Sequence, residues 1–130
     1  MSRKRDAVTP CPCGSGIDYQ QCCGRWHAGE SASTAEQLMR SRYTAFVIRN
    51  ESYLLATWHH STRPSQIDFE LTQKWLGLKI VATHTDGDLA TVEFIARYRL
   101  GGASAARQHE VSRFVREQGR WFYVDGKLPS

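Results

Sequence analysis

All four cysteines of the chain lie within residues 11–24, CPCGSGIDYQQCCG, with Cys11 and Cys13 one residue apart and Cys22 and Cys23 adjacent. Thiols this close support a few chemistries. Disulfides would allow three pairings, but a disulfide framework staples distant parts of a small secreted chain, and this cluster would leave most of the chain unstapled. A Cys22–Cys23 bond would also close a strained ring between neighbours. An iron–sulfur cluster takes four thiolates too, yet neither familiar ferredoxin spacing is present. Zinc fits best, because it wants four tetrahedral sulfurs at ~2.3 Å from two short turns that face each other. The expectation is one zinc per chain on Cys11, Cys13, Cys22 and Cys23. With every position filled by cysteine, such a site is closed to a metal-bound water.

A second set of residues could line a pocket: Arg42, Trp58, His59, His60, Arg63, His109, Glu110, Arg113 and Tyr123. A catalytic reading makes His109 a general base, with Arg42 or Arg113 holding an anionic substrate. A structural reading pairs Arg42 or Arg113 with a carboxylate and leaves His109 half exposed. The structural reading is preferred, since no nucleophile–base spacing or paired-carboxylate signature occurs. Neighbouring strand residues point to opposite faces, so His109 and Glu110 cannot share a pocket without a bulge. His59-His60 lacks a third nearby ligand and reads as a solvated turn. His27, four residues past Cys23, is an imaginable substitute metal ligand but reads as a surface histidine.

The elements that position these residues follow from spacing. Gly14, Ser15 and Gly16 suit a tight left-handed turn that aims amides at thiolates. Residues 18–21 suit one helical turn that returns Cys22 and Cys23 over Cys11 and Cys13. Residues 24–33, GRWHAGESAS, read as a linker. Ser33 with Glu36 forms a capping box, opening a helix with Ala35, Leu38, Met39, Tyr43, Phe46 and Val47 at helical spacing. Arg42 falls on that apolar face. Asn50 caps a second helix that buries Leu54, Leu55 and Trp58. The period then shifts to two: Leu76, Leu78, Ile80, Ala82; Val92, Phe94, Ala96, Tyr98; Val111, Arg113, Val115; and residues 120–124. Hairpin signals stand at residues 85–88 and at Gln118-Gly119, with a Gly-Gly loop from Gly101. Trp121 and Tyr123, on alternate positions, read as core and not as a stacking surface for bases. Helices followed by a meander of strands means an α+β domain, its helices packed on one curved antiparallel sheet.

Two resemblances sharpen this reading. C-P-C-G-S-G-x-x-Y-x-x-C-C resembles the SEC-C zinc motif, similar to the C-terminal tail of the preprotein translocase ATPase SecA. There the last ligand is typically histidine, where this chain has Cys23. In the translocase the motif docks onto a chaperone and onto ribosomes, which implies a binding role. The helix-then-strand order resembles the cone-shaped nuclear transport factor 2-like fold, whose members use the cone pocket for isomerisation or dehydration. More narrowly, LMRSRYTAFV, TWHHSTRP, HEVSRF and GRWFYVDG resemble the YchJ-like family of bacterial proteins, which joins a SEC-C knuckle to such a domain. Family members often have proline where His60 stands, and many carry a second C-terminal cysteine knuckle, which this sequence lacks up to Ser130. The expected division is a basic tail and knuckle over residues 1–30 and an α+β domain over residues 31–130 that completes a core of its own.

Composition sets the outer bounds. With 130 residues, 41% of them hydrophobic, the chain can bury a core. No run approaches the ~20 apolar residues of a membrane span, and MSRKRDAVTP has no apolar stretch to serve as a secretory signal; a cytoplasmic location is expected. The formal charge is +4, concentrated in the last third, and four thiolates around a dication would contribute about −2. A weak nucleic-acid contact is compatible with this charge but not required by it. The expected function is a zinc-binding adaptor whose knuckle contacts a protein or ribosome partner. The alternative is a small-molecule enzyme of isomerase or dehydratase type that uses the cone pocket.

Overall fold

The computed structural model describes residues 9–129; the basic residues at the N-terminus lie outside them. Three helices precede a four-stranded sheet: α1 (Cys23–His27), α2 (Ala35–Ile48), α3 (Glu51–Ala56), β1 (Gln73–Asp86), β2 (Leu89–Leu100), β3 (Ala106–Glu117) and β4 (Arg120–Lys127). The strands form an antiparallel meander in the order β1-β2-β3-β4. Among the described residues, no helix is long and apolar enough to cross a membrane.

The meander follows from its turns and its alternation. Gly87-Asp88 and Gln118-Gly119 are two-residue loops, since Asp86 pairs with Leu89 and Glu117 with Arg120. On β2, Ala90, Val92, Phe94 and Ala96 are buried, and on β3 their neighbours Ser112 and Phe114 are buried. The expected alternation on β1 breaks. Register shifts between Trp75 and Gly77 and between Ile80 and Ala82 re-aim the strand, so Trp75, Leu78 and Ile80 pack on the core.

α2 lies at the centre of the molecule, touching α1, α3, β1, β2 and β4. Its buried residues therefore run around the helix: Ala35, Leu38, Met39, Tyr43 and Ala45, but also Ser41, Arg42 and Thr44. It starts one residue later than the capping-box reading. Thr34 is the N-cap, accepting from the Gln37 amide at 3.1 Å, while Gln37 Oε1 accepts from Ser33 N–H at 2.9 Å. Glutamine at the third helical position thus takes the role assigned to Glu36. At the other end Arg49 turns left-handed (φ 59°), and Asn50 caps α3 by accepting from the Tyr53 amide at 3.2 Å, as its side chain suggests. Leu54 is fully buried; Leu55 and Trp58 are only partly so.

Residues 24–33 are not a plain linker. Their first part is α1, with Gly24 and Trp26 buried. Gly24 is required by close approach: a Cβ there would stand 2.7 Å from the Tyr19 carbonyl oxygen. The four cysteines and Trp26 belong to the same buried cluster as Leu38, Met39, Val92, Phe94, Phe114 and Trp121.

Candidate metal centre and cone cleft

The knuckle closes on itself through backbone bonds. Cys11 N–H donates to the Ile17 carbonyl at 2.9 Å and Gly14 N–H to the Cys11 carbonyl at 3.1 Å. Gly14 and Gly16 supply the left-handed corners, at φ 83° and 82°. Asp18 then caps a single 3-10 turn over Tyr19–Gln21, which swings Cys22 and Cys23 over Cys11 and Cys13. All four sulfurs are buried, and their Sγ atoms lie within 4.8 Å of one another. Four sulfurs at ~2.3 Å around a tetrahedral ion are about 3.8 Å apart; the Cys13 and Cys22 sulfurs are 3.7 Å apart. That spacing suits a metal and is far beyond the ~2.05 Å of a disulfide.

The surroundings are polar only where the sulfurs need partners. Ser15 Oγ stands 3.2 Å from Cys22 Sγ. Thr44 Oγ1, from α2, donates to Cys23 Sγ at 3.4 Å. Arg40 Nη1 donates to the Cys13 carbonyl at 2.8 Å. Cys13 is held well below the ordinary thiol range, chiefly by a hydrogen bond from Cys23 and further by Ser15. Cys23 moves the opposite way for the same reason, aided by burial, and burial raises Cys22. A dication would favour the thiolate form of all four sulfurs.

His27 is outside this set and is no surface residue. Its ring is half buried; Nε2–H donates to the Ser41 carbonyl and Nδ1 accepts from Tyr19 Oη, both at 2.8 Å. It also packs on Tyr53, 4.5 Å between centroids. It joins the knuckle to α2.

Residues 9–25 match the SEC-C motif, and residues 34–126 match the family described as YchJ, middle NTF2-like domain. The chain belongs to the YchJ-like family. It is 54% identical over 121 residues to a UPF0225 protein of Xanthomonas campestris, covering 91% of this chain and 94% of that one. A UPF0225 protein of Bordetella pertussis is 51% identical over 133 residues, with 98% and 99% covered. Among solved structures, a SEC-C motif containing protein from Rhodopseudomonas palustris superposes with a TM-score of 0.84 at 34% identity. That match covers 94% of this chain and 100% of the other.

The YchJ-like domain holds a cleft of about 800 Å³ between α2, β1 and the segment before β1. Tyr43, Phe46, Phe69 and Trp75 give it an aromatic lining, and the carboxylates of Asp68 and Glu70 join Arg49, Lys74 and Gln108 as its charged and polar groups. The residues expected to form a pocket do not line it. His109 and Arg113 sit on the opposite face of the sheet, where His109 Nε2 meets Glu93 at 2.7 Å and Arg113 grips Asp125 through two bonds of 2.7 and 2.6 Å. Glu110 points the other way, as alternation requires, and accepts from Gln108 at 2.7 Å. His59 and His60 stack on each other beside Glu117, and Arg63 is exposed.

Arg42 is 3% exposed, and among the described residues its hydrogen bonds go to no carboxylate. Its Nη1 donates to the Leu54 carbonyl at 2.8 Å and to Thr57 Oγ1 at 2.6 Å. The guanidinium lies over Tyr123 and Trp58, 4.4 and 5.1 Å from the ring centroids. Burial pulls its pKa down to about 10. The aromatic faces replace the expected carboxylate. The cleft-lining Phe69 and Gln108, and the sulfur donor Thr44, carried no separate signal in the sequence. Tyr43 and Phe46 were visible there only as apolar helix positions.

Proposed function

We propose that the chain is a zinc-binding adaptor: one zinc ion held by Cys11, Cys13, Cys22 and Cys23 shapes the knuckle, and the knuckle binds a protein partner, of chaperone or ribosomal kind, in the cytoplasm. The observation that carries this reading is a buried set of four thiols at tetrahedral spacing. Such a set leaves no coordination position for substrate or water, so its use is to present a surface. The loop it holds includes Ile17, an apolar side chain half exposed to solvent. Four thiolates around the ion require a reducing compartment. When bound, zinc supplies cross-linking of the two turns; the chain's own residues supply the hydrogen bonds that orient them.

The cleft of about 800 Å³ favours a second role, binding of a small ligand with an aromatic or apolar body. Tyr43 and Trp75 stack on its body, and Lys74 and Gln108 meet its polar end. An isomerase- or dehydratase-like use of the cleft would draw on Asp68 and Glu70, the carboxylates among its lining residues, since the histidines lie elsewhere. Partner capture from cytosol by the full chain and by Ile17→Asp, together with a thermal-shift screen of metabolites, tests both. Capture lost with Ile17→Asp supports the adaptor. Equal capture by both proteins, with a metabolite that raises the melting temperature and is turned over, contradicts it.

A further inference from the structure

His59-His60 lacked a third ligand in the sequence; the fold supplies one. Glu117 closes β3 and is 58 positions away along the chain, yet its Oε2 stands 2.8 Å from His59 Nε2. One ligand atom each from His59, His60 and Glu117 lies within 4.8 Å of the others. We propose that these three residues form a second metal site, separate from the cysteines, for a divalent transition metal of the zinc, nickel, cobalt or copper class.

Two imidazoles and one carboxylate suit those borderline cations. Calcium and magnesium want oxygen ligands throughout. The spacing is close to what an ion needs. Nitrogen and oxygen bound at ~2.1 Å lie about 3.0–3.4 Å apart, so exchanging the proton between His59 and Glu117 for a metal opens that pair by only a few tenths of an ångström. His60 is exposed, with its ring stacked 4.3 Å from that of His59 at 30°, and reaches the ion by side-chain rotation in solvent.

The scaffold around the site is fixed before any ion arrives. His59 N–H donates to the Tyr123 carbonyl at 2.7 Å, and Thr62 Oγ1 donates to the Val124 carbonyl at 2.6 Å. Both pin the turn after α3 to β4. The β3–β4 hairpin holds Glu117 from the other side. Ser61 holds Nδ1 of His59, its amide donating to that nitrogen at 3.1 Å and its Oγ standing 2.6 Å away. An ion on Nε2 requires the ring proton on Nδ1, where Ser61 Oγ accepts it and the amide bond is given up. The remaining coordination positions face solvent, so water completes the shell. Occupancy would clamp the turn after α3 onto the β3–β4 hairpin.

Nickel titration of the full-length protein, its cysteines first loaded with zinc, tests the site by calorimetry and by broadening of amide NMR signals. One further equivalent is expected to bind and to broaden His59, His60, Glu117 and Arg120 while sparing residues 11–24. Glu117→Gln and His60→Asn change exposed side chains, and each should weaken nickel by more than the ~10–100-fold typical of losing an outer-shell partner. No further equivalent, unchanged affinity in either variant, or broadening centred on His84 or His109 overturns the proposal.

Discussion

Thr44 Oγ1 donates to Cys23 Sγ at 3.4 Å and lies 3.6 Å from Cys11 Sγ. Thr44 is fully buried in the middle of α2, so a hydroxyl on the main helix of the cone domain touches two sulfurs of the knuckle. The two family segments meet at the candidate metal centre itself.

Thr44→Val keeps the shape and removes the hydroxyl. Zinc affinity, measured by competition with a chromophoric chelator, should fall ~10–100-fold, as for loss of other outer-shell donors. Stability should drop by about 1 kcal/mol. Thr44→Ser should recover most of the affinity. Unchanged affinity in Thr44→Val would mean the contact is incidental.

Residues 31–130 are expected to fold poorly alone, because the buried cluster that includes Leu38 and Met39 also includes Trp26 and the four cysteines. Losing that cover costs ~1.5–3 kcal/mol for each large side chain uncovered, against a typical margin of ~5–15 kcal/mol. A chain lacking residues 1–30 should melt at least about 10 °C below the full chain or lose cooperativity. A cooperative transition within a few degrees of the full chain would show two independent units.

His27 makes the junction sensitive to acid. Burial lowers its pKa below the ordinary 6.5, so the folded chain keeps the ring neutral where the unfolded chain protonates it. The stability it contributes is whole above about pH 6.5 and shrinks as pH falls below that value, because the unfolded state binds the extra proton. Urea midpoints for wild type and His27→Gln should therefore converge between about pH 7 and pH 5. A constant or widening gap would place the proton elsewhere.

The two arginines should separate cleanly in stability. Arg42→Ala leaves the Leu54 carbonyl and two aromatic faces without their partner and should cost about 3 kcal/mol. Arg42→Met, which removes the buried charge and keeps much of the volume, should cost less. Arg113→Ala breaks an exposed pair with Asp125 and should stay within about 1 kcal/mol. Denaturant melts that reverse this order would move Arg113 into a role the outer face does not explain.

Much of this architecture was legible in residue order. Val92, Phe94, Ala96 and Tyr98 announce a half-buried strand, and two-residue turns set the meander. The cysteine spacing announces the paired turns that gather the four thiols. The rest depends on contacts that no local pattern carries. Helices as short as the five residues of α1 are marginal alone, and α1 stands by packing on α2, so its small polar sequence resembled a linker. The register shift past Trp75 exchanged the faces of β1, which strict alternation cannot show. Arg42 looked like half of a salt bridge because its aromatic partners, Trp58 and Tyr123, come from two other elements. Glu117 approaches His59 only because β3 ends beside the turn after α3.

The central claim is that the four cysteines hold one zinc ion. Zinc-edge X-ray absorption on freshly purified full-length protein, paired with elemental analysis, tests it most directly. One equivalent of zinc with four sulfur scatterers at ~2.3 Å is the expected result. Iron in place of zinc, a first shell containing nitrogen or oxygen, or metal-free protein with its thiols oxidised would contradict it.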